Sequence, residues 1–433
     1  MIVIFCNTTA TLFLAGRELA LLPPDSLPVL LMHYSHNMKH LNEHLIRKQH
    51  LCPPLRLGII GGGQLAKMLT MEAKKLGCQV LVLDPAAASP AGQISDHQFV
   101  GGFFEKARIR ELAEASDVLT YDLENIDTQS LHVLKAEGSV IHPSPSLLEI
   151  IQDKLRQKEL LTANGLPQAP YARLDTWDES AVRAFGFPLV QKSRRGGYDG
   201  RGVVIMRDET DLQFALNTPS ILEQCVAVEK EIAVMTACAA DGEIRTFPVA
   251  EMIFDPRSNA LDLLLAPARI SDDLAREARA LAEKTVRALD GVGVFGVEMF
   301  LTTDGRLLVN EVAPRPHNSG HYTIEACLTS QYGQHLRAIA GLPLGSTEQH
   351  TPAAMVNLVG EPGAMGRPLI QGLAQALALP GVSVHIYGKH EVRPFRKMGH
   401  AVVLDADPQQ ALSRARHLKN ILRIYGENSE EQS

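Results

Sequence analysis

Short apolar runs alternate with amphipathic segments in the first folded part of the chain, which begins at Leu55. The apolar runs predict buried strands, and the segments with apolar residues at helical spacing predict helices. In chain order, the predicted elements are strands over 57–60, 79–84, 118–121 and 140–141, and helices over 65–76, 107–115 and 128–137. Repeated strand–helix units with apolar strands predict a parallel sheet that is covered on both faces.

The pattern changes after a long helix that is predicted over 147–164 and ends at Gly165. Strands then dominate, and Asp304-Gly305 predicts a hairpin turn between two of them. The predicted strands cover 188–192, 203–206, 221–224, 231–238, 245–249, 295–300, 306–312, 353–358, 382–387 and 401–404, with helices over 212–216 and 272–289. The last three strands follow Gly341-Leu-Pro343 and are expected to pack on the body of the protein.

These patterns predict a mixed α/β and α+β protein with an N-terminal α/β domain over 55–150, a central domain over 151–345 and a small β-rich C-terminal domain over 346–433. The apolar stretches of residues 1–54 are broken by proline and fall short of the ~20 residues of a membrane span. No cationic start precedes an apolar block, as a signal peptide would require. We interpret residues 1–54 as a poorly ordered extension or a misassigned start, with Met38 as an alternative first residue.

Composition narrows the classes of function. Of 433 residues, 45% are hydrophobic and 21% are charged, which is typical of a folded globular chain. The net charge of −7 provides no overall positive field for binding nucleic acid, although small anions remain plausible ligands. Six scattered cysteines without a Cys-x-x-Cys pair favour reduced thiols and a cytoplasmic location.

Two glycine-rich segments are candidates for phosphate binding. Gly61, Gly63 and Ala66 follow a strand and precede acidic Asp84, which approximates a dinucleotide-binding fingerprint. The loop 192–202 contains four glycines in seven residues, so its amides can cover phosphates while Lys192 supplies a cation. A flexible surface hairpin is the alternative interpretation of this loop, and Gln64 in the first segment suits a polar ligand.

Acidic and basic side chains surround the predicted hairpin. Glu298 and Glu311 face one another across it with Asn310 adjacent, an oxygen-only set suited to Mg²⁺ that bridges nucleotide phosphates. Solvated strand carboxylates are the alternative, but both lie in apolar strands, where an unpaired charge is costly. Arg315 suits bidentate recognition of a phosphate or carboxylate, and a basic cluster at 389–396 would complete such a pocket; structural turns are the alternative for both.

Four motifs together resemble the N5-carboxyaminoimidazole ribonucleotide synthase family of purine biosynthesis. They are Gly61-Gly-Gly-Gln-Leu65, Arg195-Gly-Gly-Tyr-Asp-Gly-Arg-Gly202, Asn310-Glu-Val-Ala-Pro-Arg-Pro-His-Asn-Ser-Gly-His321 and Arg396-Lys-Met-Gly-His400. The resemblance runs from about Leu55 to near Tyr425. It implies an ATP-grasp fold with a Rossmann-like N-terminal domain, and a lid over about 167–226.

The resemblance also implies a reaction. ATP, bicarbonate and 5-aminoimidazole ribonucleotide would give the N5-carbamate, ADP and phosphate through carboxyphosphate, with Mg²⁺ as cofactor. The expected partners are these small molecules, a second copy of the chain in a homodimer, and a downstream mutase that receives the product; neither nucleic acid nor membrane is expected.

The site residues that the resemblance implies fall into four groups. The nucleotide group is Lys154, Lys192, Gly197, Tyr198, Asp199, Gly200, Arg201, Gly202, Val203, Glu223, Gln224, Cys225, Val226, Glu231, Asn310 and Glu311. The ribonucleotide and bicarbonate group is Gln64, Tyr198, Asp199, Arg315, Lys389 and Arg396. The metal group is Glu298, Asn310 and Glu311. The group at the site of transfer is Tyr198, Asp199, Arg315, His317 and Asn318, with either Asp199 or His317 as proton acceptor.

The sequence departs from the family pattern at three site positions. Phe254 stands where a nucleotide-contacting His is frequent, Lys154 where Arg is common, and Val203 where Gln is frequent. Three alternatives remain: another ATP-grasp ligase such as formate-dependent glycinamide ribonucleotide transformylase, an NAD-dependent oxidoreductase suggested by the glycine fingerprint, and a non-catalytic nucleotide-binding regulator.

Overall fold

The computed structural model describes residues 2–6, 9–14, 17–22, 55–197, 202–255 and 260–428, and the chain forms two compact units, Met1–Cys52 and Pro53–Ser433. The first unit contains an antiparallel sheet of three strands in sequence order, Ile2–Cys6, Thr9–Leu14 and Arg17–Leu22. The alternative start at Met38 lies outside the described residues. The interpretation of residues 1–54 therefore stays a prediction.

The second unit begins with the expected parallel sheet. Its strands run in the order His97–Val100, Gln79–Asp84, Arg56–Ile60, Val118–Tyr121, and all three pairings are parallel. Helices Gln64–Lys75, Lys106–Ala115, Thr128–Ala136 and Pro145–Ile151 accompany it. The strand at His97–Val100 was not predicted because it is short and polar, and the predicted strand at 140–141 is only a single bridge between Leu119 and Ile141.

The single helix predicted over 147–164 is wrong. The chain instead forms two helices, Pro145–Ile151 and Lys154–Ala163. Asp153 has an extended backbone between them, and its carboxylate accepts a hydrogen bond from the N–H of Leu155 at 3.0 Å. This cap begins a separate second helix. Its first residue, Lys154, points into the site described below.

A small antiparallel sheet follows, and we call it the lid sheet. Its strands run in the order Val203–Met206, Leu189–Ser193, Ser220–Gln224, Tyr171–Leu174. Helix Glu179–Phe185 packs with it, and a 3₁₀ helix over Glu209–Phe214 replaces the helix predicted over 212–216. The lid sheet has its own small core around Leu174, Val182, Leu189, Met206 and Leu222, as a separate structural layer requires.

A nine-stranded antiparallel sheet, here the large sheet, carries the rest of the unit. Along its path the strands are Leu307–Ala313, Gly293–Thr302, Val228–Cys238, Ala250–Asp255, Ala260–Ala266, Ala353–Val359, Lys397–Leu404 and Val382–Ile386, and Ile244–Thr246 pairs at the side with Val228–Cys238. The hairpin of Ala250–Asp255 with Ala260–Ala266 was missed, because the sequence favours one strand at 245–249. The predicted packing of the C-terminal piece on the body is confirmed, since Leu263 pairs with Val356 within this sheet.

Helices cover the large sheet and complete the core. Ser271 caps the helix Asp272–Leu289, whose predicted bounds are confirmed. The remaining elements are helices Thr323–Ala326, Gln331–Ile339, Leu373–Leu377 and Pro408–Ile421, the 3₁₀ turn Asn318–Gly320, and the paired strands Pro368–Gln371 and Arg423–Gly426. Within the described ranges, no helix is both long and apolar enough to cross a membrane.

Candidate active site

A cleft of about 350 Å³ lies between the lid sheet and the large sheet. Most of the residues predicted for the nucleotide and the metal line it, together with two from the site of transfer, His317 and Asn318. The nucleotide and metal residues are Lys154, Lys192, Val203, Glu223, Gln224, Cys225, Val226, Glu231, Glu298, Asn310 and Glu311. The lining also includes Phe254, which stands at a site position of the family pattern, and Phe300 and Lys397, which the sequence had not assigned to the site. The structure thus brings into one cleft residues that are up to 243 positions apart in the chain, from Lys154 to Lys397.

Glu298 and Glu311 are direct partners in the antiparallel pairing of two strands of the large sheet. A bulge follows, because Met299 pairs with Val309 and leaves Asn310 as the extra residue. Lys154 Nζ donates to Glu311 Oε2 at 2.7 Å, and this cation holds the pKa of Glu311 below its ordinary value despite burial. Burial and the negative charges of Glu311 and Glu231 instead raise the pKa of Glu298.

A buried ion triad forms the wall of the cleft next to the lid sheet. Glu223 lies 2.6 Å from Lys158 Nζ and 2.5 Å from Lys192 Nζ, and Lys192 also donates to Asn310 Oδ1 at 3.1 Å. Burial opposes the charge of Glu223, yet the two lysines hold its pKa below the ordinary value. Lys158 was not predicted, although it follows Lys154 by four residues on the same helical face, which was the available signal.

The base of the lid loop is tied to the helix that carries Lys154. Asp153, only 2% exposed, accepts hydrogen bonds from Arg194 Nε at 3.0 Å and Nη2 at 2.6 Å. The main chain of Arg194 also accepts a hydrogen bond from the N–H of Lys154 at 2.9 Å. Both contacts of Arg194 lie just before the glycines of the loop, so the residue from which the loop starts is held in place. Of the predicted lid residues, Tyr198, Asp199, Gly200 and Arg201 lie outside the described residues, whereas Gly197 and Gly202 border them.

His317 and Asn318 lie next to the acidic pair. His317 Nε2 is 3.5 Å from Glu298 Oε1, and its Nδ1 accepts a hydrogen bond from the N–H of Ser319 at 3.4 Å. The Nδ1 atom also lies 2.9 Å from the hydroxyl oxygen of Ser319, and Nε2 is the ring nitrogen on the side of Glu298. The Asn318 side chain is 8% exposed, and neither atom of its amide has a hydrogen-bond partner among the described residues. Such a buried amide in a cleft wall is suited to a polar ligand.

The four described residues predicted for the ribonucleotide, Gln64, Arg315, Lys389 and Arg396, are not part of the cleft lining. Arg315 Nη2 pairs with Glu124 Oε1 at 2.8 Å, so it joins the central domain to the parallel sheet. Lys389 donates to the main chain of Lys397 at 2.7 Å, and Arg396 donates to the main chain of Glu391 at 2.7 Å. Gln64 starts the first helix of the parallel domain and is half-buried. Their roles remain predictions.

Two carboxylates of the parallel domain accept hydrogen bonds from the main-chain amides of its glycine segment. Asp84 Oδ2 accepts from the N–H of Gly62 at 2.8 Å, and Asp122 Oδ2 accepts from the N–H groups of Gly63 at 2.9 Å and Ala66 at 3.3 Å. In a dinucleotide site these helix N-terminal amides would face the pyrophosphate, and the acidic residue would face the ribose. Here the protein's own carboxylates bind these amides, and one of them is the acidic residue itself. This argues against the NAD-dependent oxidoreductase alternative.

The acidic end of the cleft fits a divalent cation held jointly with phosphate oxygens. Glu298, Glu311 and Asn310 offer oxygen ligands, and burial together with the two neighbouring carboxylates raises the pKa of Glu298, a cost that a bound cation would relieve. Among the described residues, no group of three or more His, Cys, Asp and Glu side chains is arranged to hold a metal by itself. Mg²⁺ commonly uses one or two carboxylates and completes its shell with waters and substrate phosphates, which agrees with this arrangement.

The lid sheet, the glycine loop and the carboxylate pair of the large sheet together define an ATP-grasp protein. Models of known families match in three parts: a ribonucleotide synthetase preATP-grasp domain over 55–152, an ATP-grasp domain over 159–332, and a phosphoribosylaminoimidazole carboxylase C-terminal domain over 353–414. The chain belongs to the N5-carboxyaminoimidazole ribonucleotide synthase family.

Individual relatives support this family assignment. The Bacillus subtilis N5-carboxyaminoimidazole ribonucleotide synthase is 42% identical over 359 residues, which span 82% of this chain and 92% of the relative. The crystal structure of the synthetase from Thermotoga maritima has 55% identity and a TM-score of 0.81, covering 86% of this chain and all of that one. The synthase from Aspergillus clavatus, solved with ADP and 5-aminoimidazole ribonucleotide, has 36% identity and a TM-score of 0.79, covering 86% of this chain and 99% of that one.

Proposed function

We infer that the protein is an ATP-dependent ligase that carboxylates 5-aminoimidazole ribonucleotide with bicarbonate to N5-carboxyaminoimidazole ribonucleotide in purine biosynthesis. The observation that carries this inference is the single cleft in which Lys154, Lys192, the Glu298–Glu311 pair and His317 meet. Family membership and the Aspergillus clavatus complex support the choice of substrates. The expected products are the carbamate, ADP and phosphate.

We propose that the adenine and ribose of the nucleotide lie at one end of the cleft and its phosphates at the other. The adenine lies against Glu223–Val226 and Phe254, and the ribose lies near Glu231, whose pKa is raised by burial. Lys154 and Lys192 neutralise the phosphates, while Glu298, Asn310 and Glu311 hold Mg²⁺. When bound, Mg²⁺ neutralises charge on the transferring phosphoryl group.

Bicarbonate is a poor electrophile, so its carbon needs activation before an amine can attack it. Attack of a bicarbonate oxygen on the γ-phosphorus releases ADP and gives carboxyphosphate, whose carbonyl carbon, or the CO₂ that it releases, reacts with the ribonucleotide amine. The Asn318 amide and the His317 ring face this point in the cleft. Either Asp199 or His317 accepts the proton that the ribonucleotide amine loses.

Water must be excluded, because carboxyphosphate hydrolyses. We propose that the loop from Gly197 to Val203 closes over the cleft as a lid, hinged where Arg194 is held by Asp153. Arg315, Lys389, Arg396 and Gln64 would bind the ribonucleotide body and its phosphate from the parallel and C-terminal domains. That arrangement requires the lid, the parallel domain and the C-terminal domain to meet around the second substrate.

The test is ADP release by the purified protein with Mg-ATP and bicarbonate, with and without 5-aminoimidazole ribonucleotide, while labelled bicarbonate is trapped as carbamate. We expect ADP release that depends on the ribonucleotide and equals the captured label. ADP release with glycinamide ribonucleotide and formate instead would assign the protein to the alternative ligase. No acceptor-dependent release at all would refute the proposal.

We further propose a cytoplasmic homodimer that passes its product to a mutase. The cytoplasmic location is supported by the requirement for ATP and by Cys78, Cys225, Cys238 and Cys327, which are free thiols. The handover is supported by the chemistry of the product, since N-carboxylated amines lose CO₂ readily. Sedimentation at several protein concentrations tests the dimer.

A further inference from the structure

Behind the His317 loop lies a buried glutamine that no motif had singled out. Gln331 is the first residue of helix Gln331–Ile339 and is fully buried. Its Oε1 accepts a hydrogen bond from the N–H of His317 at 2.8 Å, and its Nε2 donates to the carbonyl of His317 at 2.8 Å. We propose that Gln331 is a positioning residue that fixes His317 in the cleft; this rests on the proposed function, in which His317 faces the reacting groups.

The orientation of the Gln331 amide is itself determined by its surroundings. Nε2 also lies 3.3 Å from Nδ1 of His321, and the hydroxyl of Tyr332 lies 3.0 Å from the same nitrogen. Burial lowers the pKa of His321, so this ring is uncharged and its Nδ1 accepts both hydrogen bonds. A flipped amide would place its oxygen against the carbonyl of His317 and the lone pair of His321, so only one orientation is favourable.

Close packing at two glycines leaves the His317 loop no free space in which to move. A Cβ atom at Gly320 would overlap Oε1 of Gln331, and one at Gly296 would lie 2.8 Å from the Cβ of His317. The amide therefore packs against bare backbone on one side, and His317 packs against the strand of Glu298 on the other. With the main chain of His317 held at both of its polar groups, the ring is directed so that Nε2 lies 3.5 Å from Glu298 Oε1.

The same helix offers a matched control. Gln334 is also fully buried, and its amide also makes two main-chain hydrogen bonds to one residue: Nε2 donates to the carbonyl of Gly345 at 2.6 Å, and Oε1 accepts from the N–H of Gly345 at 2.8 Å. Neither Gln334 nor Gly345 lines the cleft. Gln331→Met and Gln334→Met therefore remove equivalent bonds from equivalent positions and should lower the melting temperature by similar amounts.

Kinetics of both variants separate positioning from stability. We expect Gln331→Met to lower kcat by about tenfold or more, since small displacements in an active site cost up to ~100-fold, with little change in the KM for ATP. Gln334→Met should leave kcat within about twofold. In a His317→Ala background, Gln331→Met should have no further effect on kcat, because its target is gone. An equal loss in both backgrounds, or an equal loss for both glutamines, would overturn the proposal.

A spectroscopic measurement decides the question independently of turnover. Long-range ¹H–¹⁵N spectra show the histidine rings, and the His317 signals are those missing from His317→Ala. Gln331→Met should shift these signals, whereas Gln334→Met should not. Should Gln331→Met fail to fold, Gln331→Glu keeps the size and the acceptor while it loses the donor. Unchanged His317 signals in the folded variant refute the positioning role even if the proposed activity itself is absent.

Discussion

Glu298 and Glu311 are cross-strand partners, and the two carboxylates carry opposite pKa shifts although they face the same cleft. The difference arises because Lys154 donates to Glu311 at 2.7 Å, while Glu298 is buried beside two other acids. One member of the pair is thus a permanent anion. Glu298, the other member, ionises at neutral pH only when a cation binds beside it.

Binding of Mg-ADP should therefore release a proton. Burial and the neighbouring carboxylates raise the pKa of Glu298 to about 8, so Glu298 is protonated in the free protein at neutral pH and must ionise to bind a cation. Affinity for Mg-ADP should rise with pH up to that value and level off above it. Calorimetry at pH 7 in buffers of different ionisation enthalpy measures the released proton, and Glu298→Gln should abolish the release. A binding enthalpy that is independent of the buffer would contradict this assignment.

Glu311→Gln should reduce ribonucleotide-dependent ADP release by roughly 10²–10³-fold, the usual cost of losing a preorganised electrostatic contact. The substitution weakens a proposed metal ligand and removes the negative charge that pairs with Lys154. Steady-state ADP production measures the effect. The control is Glu283→Gln, which breaks the exposed pair with Arg287 at 2.8 Å and should leave turnover unchanged. Full activity of Glu311→Gln would remove this residue from the metal site.

Glu223→Gln should both destabilise the protein and weaken ATP binding. It leaves Lys158 and Lys192 as neighbouring buried cations, and breaking such a buried pair typically costs about 3–5 kcal/mol of unfolding free energy. Urea denaturation measures this cost. In the same part of the protein, Glu179→Gln breaks an exposed pair with Arg183, which water and salt screen, and should cost far less unfolding free energy than Glu223→Gln. Equal losses in the two variants would show that the triad contributes nothing beyond an exposed contact.

The triad also predicts a pH dependence. The pKa of Glu223 in the folded protein is held below its ordinary value of 4.5, so the folded form binds fewer protons than the unfolded chain. Its contribution to stability is present above the unfolded pKa and is lost as the pH falls through the folded pKa. The difference in unfolding free energy between the wild type and Glu223→Gln should therefore shrink on acidification below about pH 4.5. A difference that stays constant with pH would contradict the ion-pair explanation.

Phe254→Ala should weaken ATP binding by about tenfold, the order expected for losing one aromatic contact with a base. Phe254 lines the cleft at the position where the family pattern often has His. Fluorescence titration with an ADP analogue measures the affinity. Phe214→Ala, at a residue that is 62% exposed on the lid sheet's 3₁₀ helix, is the control. Unchanged affinity for Phe254→Ala would place the adenine elsewhere.

The sequence was sufficient for the local and periodic features. Helix Asp272–Leu289 and the Asp-Gly hairpin follow from patterns that lie within a few residues of each other, and both are present in the structure. The alignment of Glu298 with Glu311 was predicted from the turn alone, but in the structure it depends on the bulge. Without the extra residue, the register of Leu301 with Leu307 would place Glu298 opposite Asn310.

Features that depend on distant contacts could not be predicted. Lys158 reads as an ordinary surface residue until Glu223 and Lys192 are brought to it by folding. Gln331 has no charge and no motif, and its significance arises from two hydrogen bonds to a residue in another element. The hairpin of Ala250–Asp255 and Ala260–Ala266 was missed because the sequence favours one strand at 245–249, although Asp255-Pro256 and Ser258-Asn259 are turn signals.

The central and C-terminal domains, which were separate in the predicted organisation, share one sheet through the pairing of Leu263 with Val356. A chain shortened before Ala353 would expose the main-chain donors and acceptors of Ala260–Ala266 as a long apolar edge, which is a template for aggregation. The C-terminal piece therefore could not be exchanged between relatives as an independent module. Any recombination of this gene that preserves folding must keep both sides of that strand pair together.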